Sequence, residues 1–221
     1  MNSKTPAADV QDVCKGLKRE YGHSRLNNPQ NPLDDLIFVL LSNRTLPATA
    51  LKVFDNLKQK YPCWDQALSS RPCEIKRILK PSGFANIRTN YLKKILGRIQ
   101  KDFSACTLQP LTKMNKKAAL SYLASLPGVS DKVAKCVMMY TLNYRVLPID
   151  VHVHRISKRL GWTEKNRADQ APELLESIIP AQCRYDYHVN CVQHGRAICK
   201  STKPRCDACC ISKYCPSKST A

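Results

Sequence analysis

Glycine is scarce in this chain, with seven residues among 221, and no alternation of apolar and polar residues persists anywhere. Tight hairpins depend on glycine and half-buried strands need that alternation, so both signals of a β-sheet are missing. Apolar residues recur at helical spacing instead, as in Leu33, Leu36, Ile37, Leu40 and Leu41. The sequence predicts an all-α protein with this helix at the centre of its core.

The sequence also lacks an apolar run of membrane-spanning length and a charged-then-apolar leader. We therefore expect a soluble protein made inside the cell, with no membrane partner. The lack of a long basic or amphipathic leader favours a prokaryotic cytoplasm, in association with the nucleoid, and leaves a nucleus or mitochondrion open. A chain of 221 residues can form one large domain or two lobes that share a core. We expect a monomer.

Acidic residues are the minority, since 17 Asp and Glu stand against 36 Lys and Arg, which gives a formal net charge of +19. The cations are spread through the chain and are not collected in a tail. This charge favours a folded protein that binds a polyanion. A generally basic protein without such a partner would have the same composition.

Residues 126–162 carry the most informative pattern, a short turn between two segments of helical spacing. Gly128 permits a backbone conformation that is closed to other residues, so the amides of Gly128, Val129 and Ser130 can turn outward at the start of the second helix. A phosphate is favoured at a helix N-terminus. The pattern predicts a helix-hairpin-helix that can bind a phosphate, with an ordinary helix–helix turn as the alternative.

Two residues near this turn could carry chemistry. Lys132 lies in the first turn of the second helix, where the helix dipole favours the neutral amine, and Lys135 could add a second cation that helps it lose its proton. Asp150 follows Pro148 and precedes another helical pattern, which is the position of a helix N-cap. By position alone, a solvated lysine and a capping aspartate explain both residues.

The sequence LPGVSDK, followed eighteen residues after its lysine by the aspartate of PIDVHVHRISKRLG, resembles the helix-hairpin-helix and Gly/Pro-Asp signature of DNA glycosylases of the endonuclease III family. The resemblance spans residues 31–215. It implies that Lys132 attacks the sugar and that Asp150 assists. Ser130 is a departure, because the family usually has a second glycine there.

The resemblance also implies a two-lobed architecture. The central helical lobe would cover residues 31–142 and include the helix-hairpin-helix at about 117–142. Residues 1–30 and 143–221 would form the second helical lobe. Double-stranded DNA with a damaged base or an abasic site would lie across the cleft between the lobes.

Three further residues resemble the family's DNA contacts. Arg44 occupies the place of a glutamine that fills the gap left by an everted base, and arginine there can change the preference for lesion or opposite base. Phe84 resembles the wedge that props the duplex open, and Arg88 the basic residue that holds the DNA backbone. An exposed arginine and a buried loop phenylalanine are the structural alternatives.

Twelve cysteines would suggest disulfides in a secreted protein, but no secretory leader is present. Four of them are spaced C-x6-C-x2-C-x5-C near the end of the chain, in a segment poor in apolar residues that a metal centre would hold together. These four are Cys199, Cys206, Cys209 and Cys215. Zinc suits four thiolates as well, and Cys210 could replace Cys209.

The cysteine spacing resembles the loop with which the endonuclease III family holds its 4Fe-4S cluster, so residues 199–215 are expected to bind one. Lys200, Lys203 and Arg205 lie between the first two cysteines. They could contact DNA phosphates, or they could simply keep the loop solvated.

The function that the resemblance implies is that of a bifunctional DNA glycosylase and AP lyase of base excision repair. Such an enzyme removes an oxidised pyrimidine of the thymine glycol type and then cleaves the abasic site by β-elimination, through an imine between Lys132 and the sugar. Two alternatives stay open. One is a glycosylase for a mismatched or other damaged base, and the other is a non-catalytic iron-sulfur protein that binds DNA or senses redox state.

Overall fold

The computed structural model describes residues 7–163 and 171–219, and over these two ranges the protein is helical without a strand. The prediction of an all-α fold is confirmed. No helix in the described ranges is both long and apolar enough to cross a membrane. Eleven α-helices lie in these ranges: α1 (Ala7–Tyr21), α2 (Pro32–Ser42), α3 (Pro47–Lys60), α4 (Trp64–Ser69), α5 (Pro72–Leu79), α6 (Ala85–Phe103), α7 (Lys116–Ala124), α8 (Asp131–Tyr140), α9 (Val151–Arg159), α10 (Ala171–Ile178) and α11 (Arg184–Ala197).

The described chain divides into two compact units. The central unit, Asn28–Tyr144, contains α2 to α8. The terminal unit contains the described residues up to Asn27 and from Arg145 onward, and therefore α1 and α9 to α11.

Helix α2 begins at a well-formed cap and packs against α3 and α8 in the central unit. Asn31 Oδ1 accepts hydrogen bonds from the amides of Leu33 (2.9 Å) and Asp34 (3.2 Å), and Pro32 occupies the first helical position, where a missing N–H costs nothing. The predicted apolar face is buried at Leu33, Leu36, Ile37 and Leu41, whereas Leu40 is only half-buried. Burial of each such side chain contributes roughly 1.5–3 kcal/mol.

The two ends of helix α6 have different surroundings. Ile95 and Ile99 are fully buried against the rest of the central unit, whereas Ile87 and Tyr91, which share their face at a spacing of four residues, are 51% and 36% exposed. The two outer residues line an open cavity of about 290 Å³. The apolar face of α6 therefore serves the core at one end and an open cavity at the other.

The terminal unit is built on α11, which packs against α1 and α9. The buried side of α1 carries Val10, Val13 and Leu17. Helix α11 buries polar as well as apolar side chains, and several of these polar groups are hydrogen-bonded. Within this unit, for example, the Tyr187 and Ser157 hydroxyls lie 2.8 Å apart.

Candidate functional site

The hairpin between α7 and α8 is held by its own short-range hydrogen bonds. Ser130 is the N-cap of α8, and its hydroxyl accepts from the amide of Val133 at 3.4 Å, so the serine that departs from the family pattern caps the helix. The amide of Val129 donates to Leu126 O at 3.1 Å. Because this amide is engaged within the turn, the predicted phosphate contact would fall to the amides of Gly128 and Ser130.

Gly128 supports this hairpin in two ways. Its φ of 77° lies in the left-handed region that favours glycine. A Cβ atom at this position would lie 2.5 Å from both Cδ2 and Cε2 of Tyr91, which is closer than carbon atoms approach without displacement. The ring of Tyr91 on α6 therefore packs directly under the turn.

Lys132 is the second residue of α8 and is half-buried. Lys135, one turn further on, is 8% exposed, and its Nζ lies 3.2 Å from Asp131 Oδ2. This ion pair partly neutralises the second cation that was predicted to assist Lys132. The charge of Lys132 acts on the buried carboxyl of Asp35, which lies on α2 in the same unit.

Asp150 is the N-cap of α9 in the terminal unit. Its Oδ1 atom accepts from the amides of His152 (2.9 Å) and Val153 (2.8 Å), so the capping position read from the sequence is correct. Burial lowers the pKa of His152, and the carboxylate of Asp150 opposes that shift. The cap fixes the carboxylate at the start of α9.

A second group of residues at this end of α9 was not predicted from the sequence. Arg155 Nη2 lies 3.1 Å from His152 Nδ1 and donates to Gly195 O at 2.9 Å, while its Nε donates to Cys199 O at 2.9 Å. A Cβ on Gly195 would lie 2.3 Å from His152 Nδ1. These contacts join the start of α9 to α11 and to the cysteine loop. The charged residues of PIDVHVHR were the signal that could have indicated them.

Arg44, Phe84 and Arg88 lie around one cavity of the central unit. Arg44 is exposed and Phe84 is 58% exposed, which excludes the alternative of a buried loop phenylalanine. Arg88 is half-buried, and its guanidinium donates to Leu41 O and Asn43 O at 2.7 Å each. These bonds direct part of Arg88 toward the protein, whereas the family resemblance assigned it to the DNA backbone.

Four cysteines of the terminal unit line a single small cavity. They are Cys199, Cys206, Cys209 and Cys215. Burial raises the pKa of Cys209, and the other three thiols raise it further, as expected for sulfur atoms held near one another. Cys210 does not line this cavity, and it packs against the core that includes α1.

Arg159 on α9 holds the cysteine loop. Its Nη1 donates to Cys199 Sγ at 3.1 Å and to Lys200 O at 2.7 Å, and its Nη2 donates to Ser201 O at 3.2 Å. The Nε2 atom of buried His194 lies 3.4 Å from Cys209 Sγ. Neither Arg159 nor His194 was singled out from the sequence, because their roles depend on contacts between distant segments.

The donor set fits an iron-sulfur cluster. Within residues 7–163 and 171–219, no group of three or more His, Cys, Asp or Glu side chains is arranged to hold one metal ion. A 4Fe-4S cluster places a different requirement on its ligands, because each of four thiolates binds a separate iron atom. Four thiols around a common cavity meet that requirement.

The three basic residues of this loop, Lys200, Lys203 and Arg205, are all exposed. Lys203 has a φ of 51°, and the amide of Arg205 donates to Ile198 O at 3.0 Å, which fixes the loop beside the end of α11. The side chains of Lys200, Lys203 and Arg205 are therefore presented to solvent from a fixed backbone.

The all-helical fold, the hairpin before α8 and the cysteine loop define a helix-hairpin-helix protein. The sequence model of the HhH-GPD superfamily of base excision DNA repair proteins matches residues 37–181. The chain belongs to this superfamily.

Known relatives agree with this membership. A protein of Arabidopsis thaliana that is provisionally named a DNA glycosylase is 30% identical over 199 residues, which cover 89% of this chain and 67% of the relative. Endonuclease III of Thermotoga maritima is 26% identical over 206 residues, 93% of this chain and 92% of the relative. A solved non-covalent complex of endonuclease III with DNA has a TM-score of 0.85 at 21% identity and covers 97% of each chain. The predicted resemblance to the endonuclease III family is confirmed.

Proposed function

We propose that this protein is a bifunctional DNA glycosylase and AP lyase that removes oxidised pyrimidines, of the thymine glycol type, from duplex DNA. The observation that carries the proposal is Lys132, half-buried in the first turn of α8 directly after the hairpin, in a member of a base excision repair superfamily. A formal net charge of +19 supports duplex DNA as the partner. We place the protein with chromosomal DNA, in a nucleoid or a nucleus, as a monomer.

The DNA contacts in this proposal come from three places. The amides of Gly128 and Ser130 bind a phosphate at the N-terminus of α8, where the helix dipole favours negative charge. The basic side chains of the cysteine loop bind further phosphates without reading sequence. Arg44 and Phe84 enter the duplex and occupy the space that the everted nucleotide leaves.

The chemistry begins with the neutral amine of Lys132. Its lone pair attacks C1′ of the everted nucleotide, the bond from C1′ to the base breaks, and the base leaves with that electron pair and takes up a proton. Asp150 stabilises the positive charge that develops on the sugar and assists proton transfer. The sugar ring then opens to an imine on Lys132. The imine makes the C2′ proton acidic; when that proton is lost, a C2′–C3′ double bond forms, the C3′–O bond breaks and the 3′ phosphate leaves with the electron pair. Water then hydrolyses the imine and frees the amine of Lys132.

We further propose that Cys199, Cys206, Cys209 and Cys215 hold a 4Fe-4S cluster. The support is their shared cavity and the position of Cys210 outside it. The bound cluster would supply iron–sulfur bonds that cross-link a segment too poor in apolar residues to form a core. Purified protein should contain about four iron and four sulfide per chain. One zinc ion per chain in place of iron would reject this assignment.

The test of the lyase mechanism is borohydride trapping on duplex DNA that carries thymine glycol or an abasic site. Borohydride reduces an imine to a stable amine, so the wild-type protein should become covalently attached to both DNAs. Lys132→Gln should abolish the adduct. Asp150→Asn should lower its rate of formation by about 100-fold, within the range for a positioned acid or base.

Folding controls separate the chemistry from the cap of α9. Asparagine caps a helix as well as aspartate does, so Asp150→Asn should unfold at the same urea concentration as the wild type, whereas Asp150→Ala should lose about 1 kcal/mol of stability. If wild-type protein binds these DNAs but gives no adduct on either, Lys132 is not a nucleophile. A monofunctional or non-catalytic DNA-binding protein would then be indicated.

Arg44 is the observation that favours a second candidate, a glycosylase with another base preference. Its exposed guanidinium can hydrogen-bond to a base edge. The glutamine that the family usually has there can also do so, but with a different set of donors and acceptors. Excision should therefore be compared on duplexes with thymine glycol, uracil or mismatched thymine, each opposite guanine and adenine. Faster excision of uracil or mismatched thymine would replace the oxidised pyrimidine as the substrate.

A further inference from the structure

Arg88 joins two loops of the central unit that come from different helices. The first loop, residues 43–46, follows α2, and the second, residues 80–84, leads into α6. The guanidinium of Arg88 makes three hydrogen bonds to the end of α2 and the first loop, to Leu41 O (2.7 Å), Asn43 O (2.7 Å) and Thr45 Oγ1 (2.9 Å). The main-chain amide of Arg88 donates to Phe84 O at 3.0 Å. The side chain of Arg88 therefore holds the first loop, while its main chain makes the ordinary first-turn bond of α6 to the second loop.

Thr45 extends this connection. Its hydroxyl accepts from Arg88 and can donate to Ser82 O in the second loop at 3.2 Å, with Asn43 O as the other acceptor at 3.3 Å. The backbone of the second loop is tied in turn by the Ser82 hydroxyl, which donates to Leu79 O at 2.7 Å. The bases of the two loops are thus linked by a continuous set of hydrogen bonds.

The tips of the two loops share an uncommon backbone conformation. Arg44 has a φ of 56° and Phe84 a φ of 51°, both in the left-handed region that non-glycine residues rarely adopt. Such conformations persist where the surrounding structure over-determines them. Around Arg44 these contacts are the bonds of the Arg88 guanidinium, which reach the residues on either side of it. The hydroxyl of Thr45 then connects them to the second loop at Ser82 O.

The hydrogen bonds by which the Arg88 guanidinium clamps the first loop do not involve the side chains of Arg44 and Phe84. Arg44 is exposed, Phe84 is 58% exposed, and both line the same open cavity as Ile87 and Tyr91. The loop bases are fixed while the tip side chains project from them. This arrangement suits two side chains that must enter the same gap together.

We propose that Arg88 is a positioning residue that presets Arg44 and Phe84 as one insertion unit. The inference rests on the proposed function, because it concerns how the enzyme evicts a base. Loops ordered before binding do not lose conformational freedom when the duplex is opened, so more of the binding energy can be used to evert the nucleotide. A lysine could not reproduce the clamp, since an ammonium lacks the planar fork that reaches several oxygens at fixed angles.

The test compares two substrates that differ in whether a base must be evicted. Excision of thymine glycol requires eviction, whereas trapping at a preformed abasic site does not. Arg88→Ala should slow excision by about 100-fold, as expected for loss of pre-organisation. Trapping at the abasic site should fall by less than about threefold, since its chemistry uses Lys132. Arg88→Lys should restore little of the excision rate.

Thr45→Val provides a milder variant that keeps the side-chain shape and the arginine. It removes the hydroxyl that links the two loops, so excision should fall by about three- to tenfold, on the order of one lost hydrogen bond. Fluorescence of 2-aminopurine beside the lesion reports base eviction directly. Its increase on binding should be smaller in both Arg88→Ala and Thr45→Val.

The alternative role of Arg88 is a contact to a DNA phosphate, and salt dependence separates the two roles. A lost phosphate contact lowers the slope of log K against log salt by about 0.9, and a lysine would keep that contact. Such a result, with excision restored by Arg88→Lys, would overturn the proposal. Equal losses on both substrates, with a lower melting temperature, would also overturn it. Failure of the proposed function is distinct, because wild-type protein would then give no trapped adduct at all.

Discussion

Gly128 is the residue of the hairpin at which backbone conformation and packing both require glycine. Its φ is 77°, and a Cβ would lie 2.5 Å from two ring atoms of Tyr91. The need for a left-handed residue could be predicted from Leu-Pro-Gly-Val-Ser, because only glycine adopts that conformation freely. The contact with Tyr91 could not, because that residue is distant in sequence and reaches the turn through the packing of α6.

We expect Gly128→Ala to destabilise the protein by about 3 kcal/mol, from roughly 1–2 for the left-handed conformation and the rest for overpacking against Tyr91. Urea unfolding measures this loss. Gly22→Ala is the matched control, because Gly22 has a φ of 68° and a Cβ added there would meet nothing within 4 Å. It should show the conformational cost alone. Equal losses at the two positions would mean that Tyr91 yields without cost.

The same comparison can be extended to the contact partner. In a Tyr91→Ala background, Gly128→Ala should cost no more than Gly22→Ala, since the ring that meets the new methyl group is absent. A double-mutant cycle isolates this coupling. Additive effects would contradict direct contact between Tyr91 and the hairpin.

At the level of helices, α2 was the element best specified by sequence. Its apolar spacing indicated one helix, and Pro32–Ser42 forms it, with Asn31 as its cap and acidic residues in its first turn. The local pattern could not show that the same helix buries a carboxyl group. Asp35 is fully buried, with Asn28 Nδ2 at 2.6 Å from Oδ1 and the Thr141 hydroxyl at 3.5 Å from Oδ2. These partners come from segments before α2 and at the end of α8.

Burial raises the pKa of Asp35 from 3.8 to about 7, while hydrogen bonds from Asn28 and Thr141 and the charge of Lys132 oppose the shift. Because the folded-state pKa is the higher one, the stabilising contribution of this group is fully present below about pH 4 and is lost as the pH rises through about 7. We expect the unfolding free energy of the wild type, relative to Asp35→Asn, to fall by about 3 kcal/mol between pH 4 and pH 8.

Urea unfolding of both proteins across that pH range checks this expectation. Asparagine has nearly the same shape and does not titrate, so other titrating groups cancel in the difference. A second variant, Thr141→Val, removes a hydrogen bond to the carboxylate and should move the transition to higher pH. Parallel curves for wild type and Asp35→Asn would show that Asp35 has an ordinary pKa.

Other elements were less accessible to sequence reasoning. Short helices such as α4 and α5 have too few residues to show a period, and the clamp of Arg88 depends on carbonyl groups, which carry no sequence signal. The Asp150 cap was readable because its position before α9 determines its hydrogen bonds. By contrast, Arg159 reaches the cysteine loop through tertiary packing, and nothing near it in sequence indicates that contact.

At the scale of the whole molecule, the sequence does not show which distant segments pack together. Helices α1 and α11 pack together in the terminal unit although most of the chain separates them. Helix α11 is buried on several sides and includes His188, Asn190 and His194 among its buried residues. A local pattern of polar residues would place such a helix at the surface. The helix is buried instead, because polar side chains such as His194 have hydrogen-bond partners elsewhere in the unit.

The charge of +19 extends over the whole chain, so attraction to DNA alone does not identify a contact. Specific phosphate contacts are distinguished by salt dependence, since each one contributes about 0.9 to the slope of log K against log salt. We expect the double variant Lys200→Ala/Lys203→Ala to lower this slope by about 1 to 2, because both side chains project from the fixed cysteine loop.

The control removes the same charge from another part of the terminal unit. Lys15 and Arg19 are exposed on α1, so Lys15→Ala/Arg19→Ala changes the net charge equally. Binding to an undamaged duplex, measured between about 50 and 200 mM salt, should keep its slope in this control. If both double variants lower the slope by the same amount, DNA responds to the overall charge of the protein. The cysteine loop would then contribute by its net charge and not by the placement of its side chains, whereas a loss confined to Lys200 and Lys203 would locate phosphates at this loop.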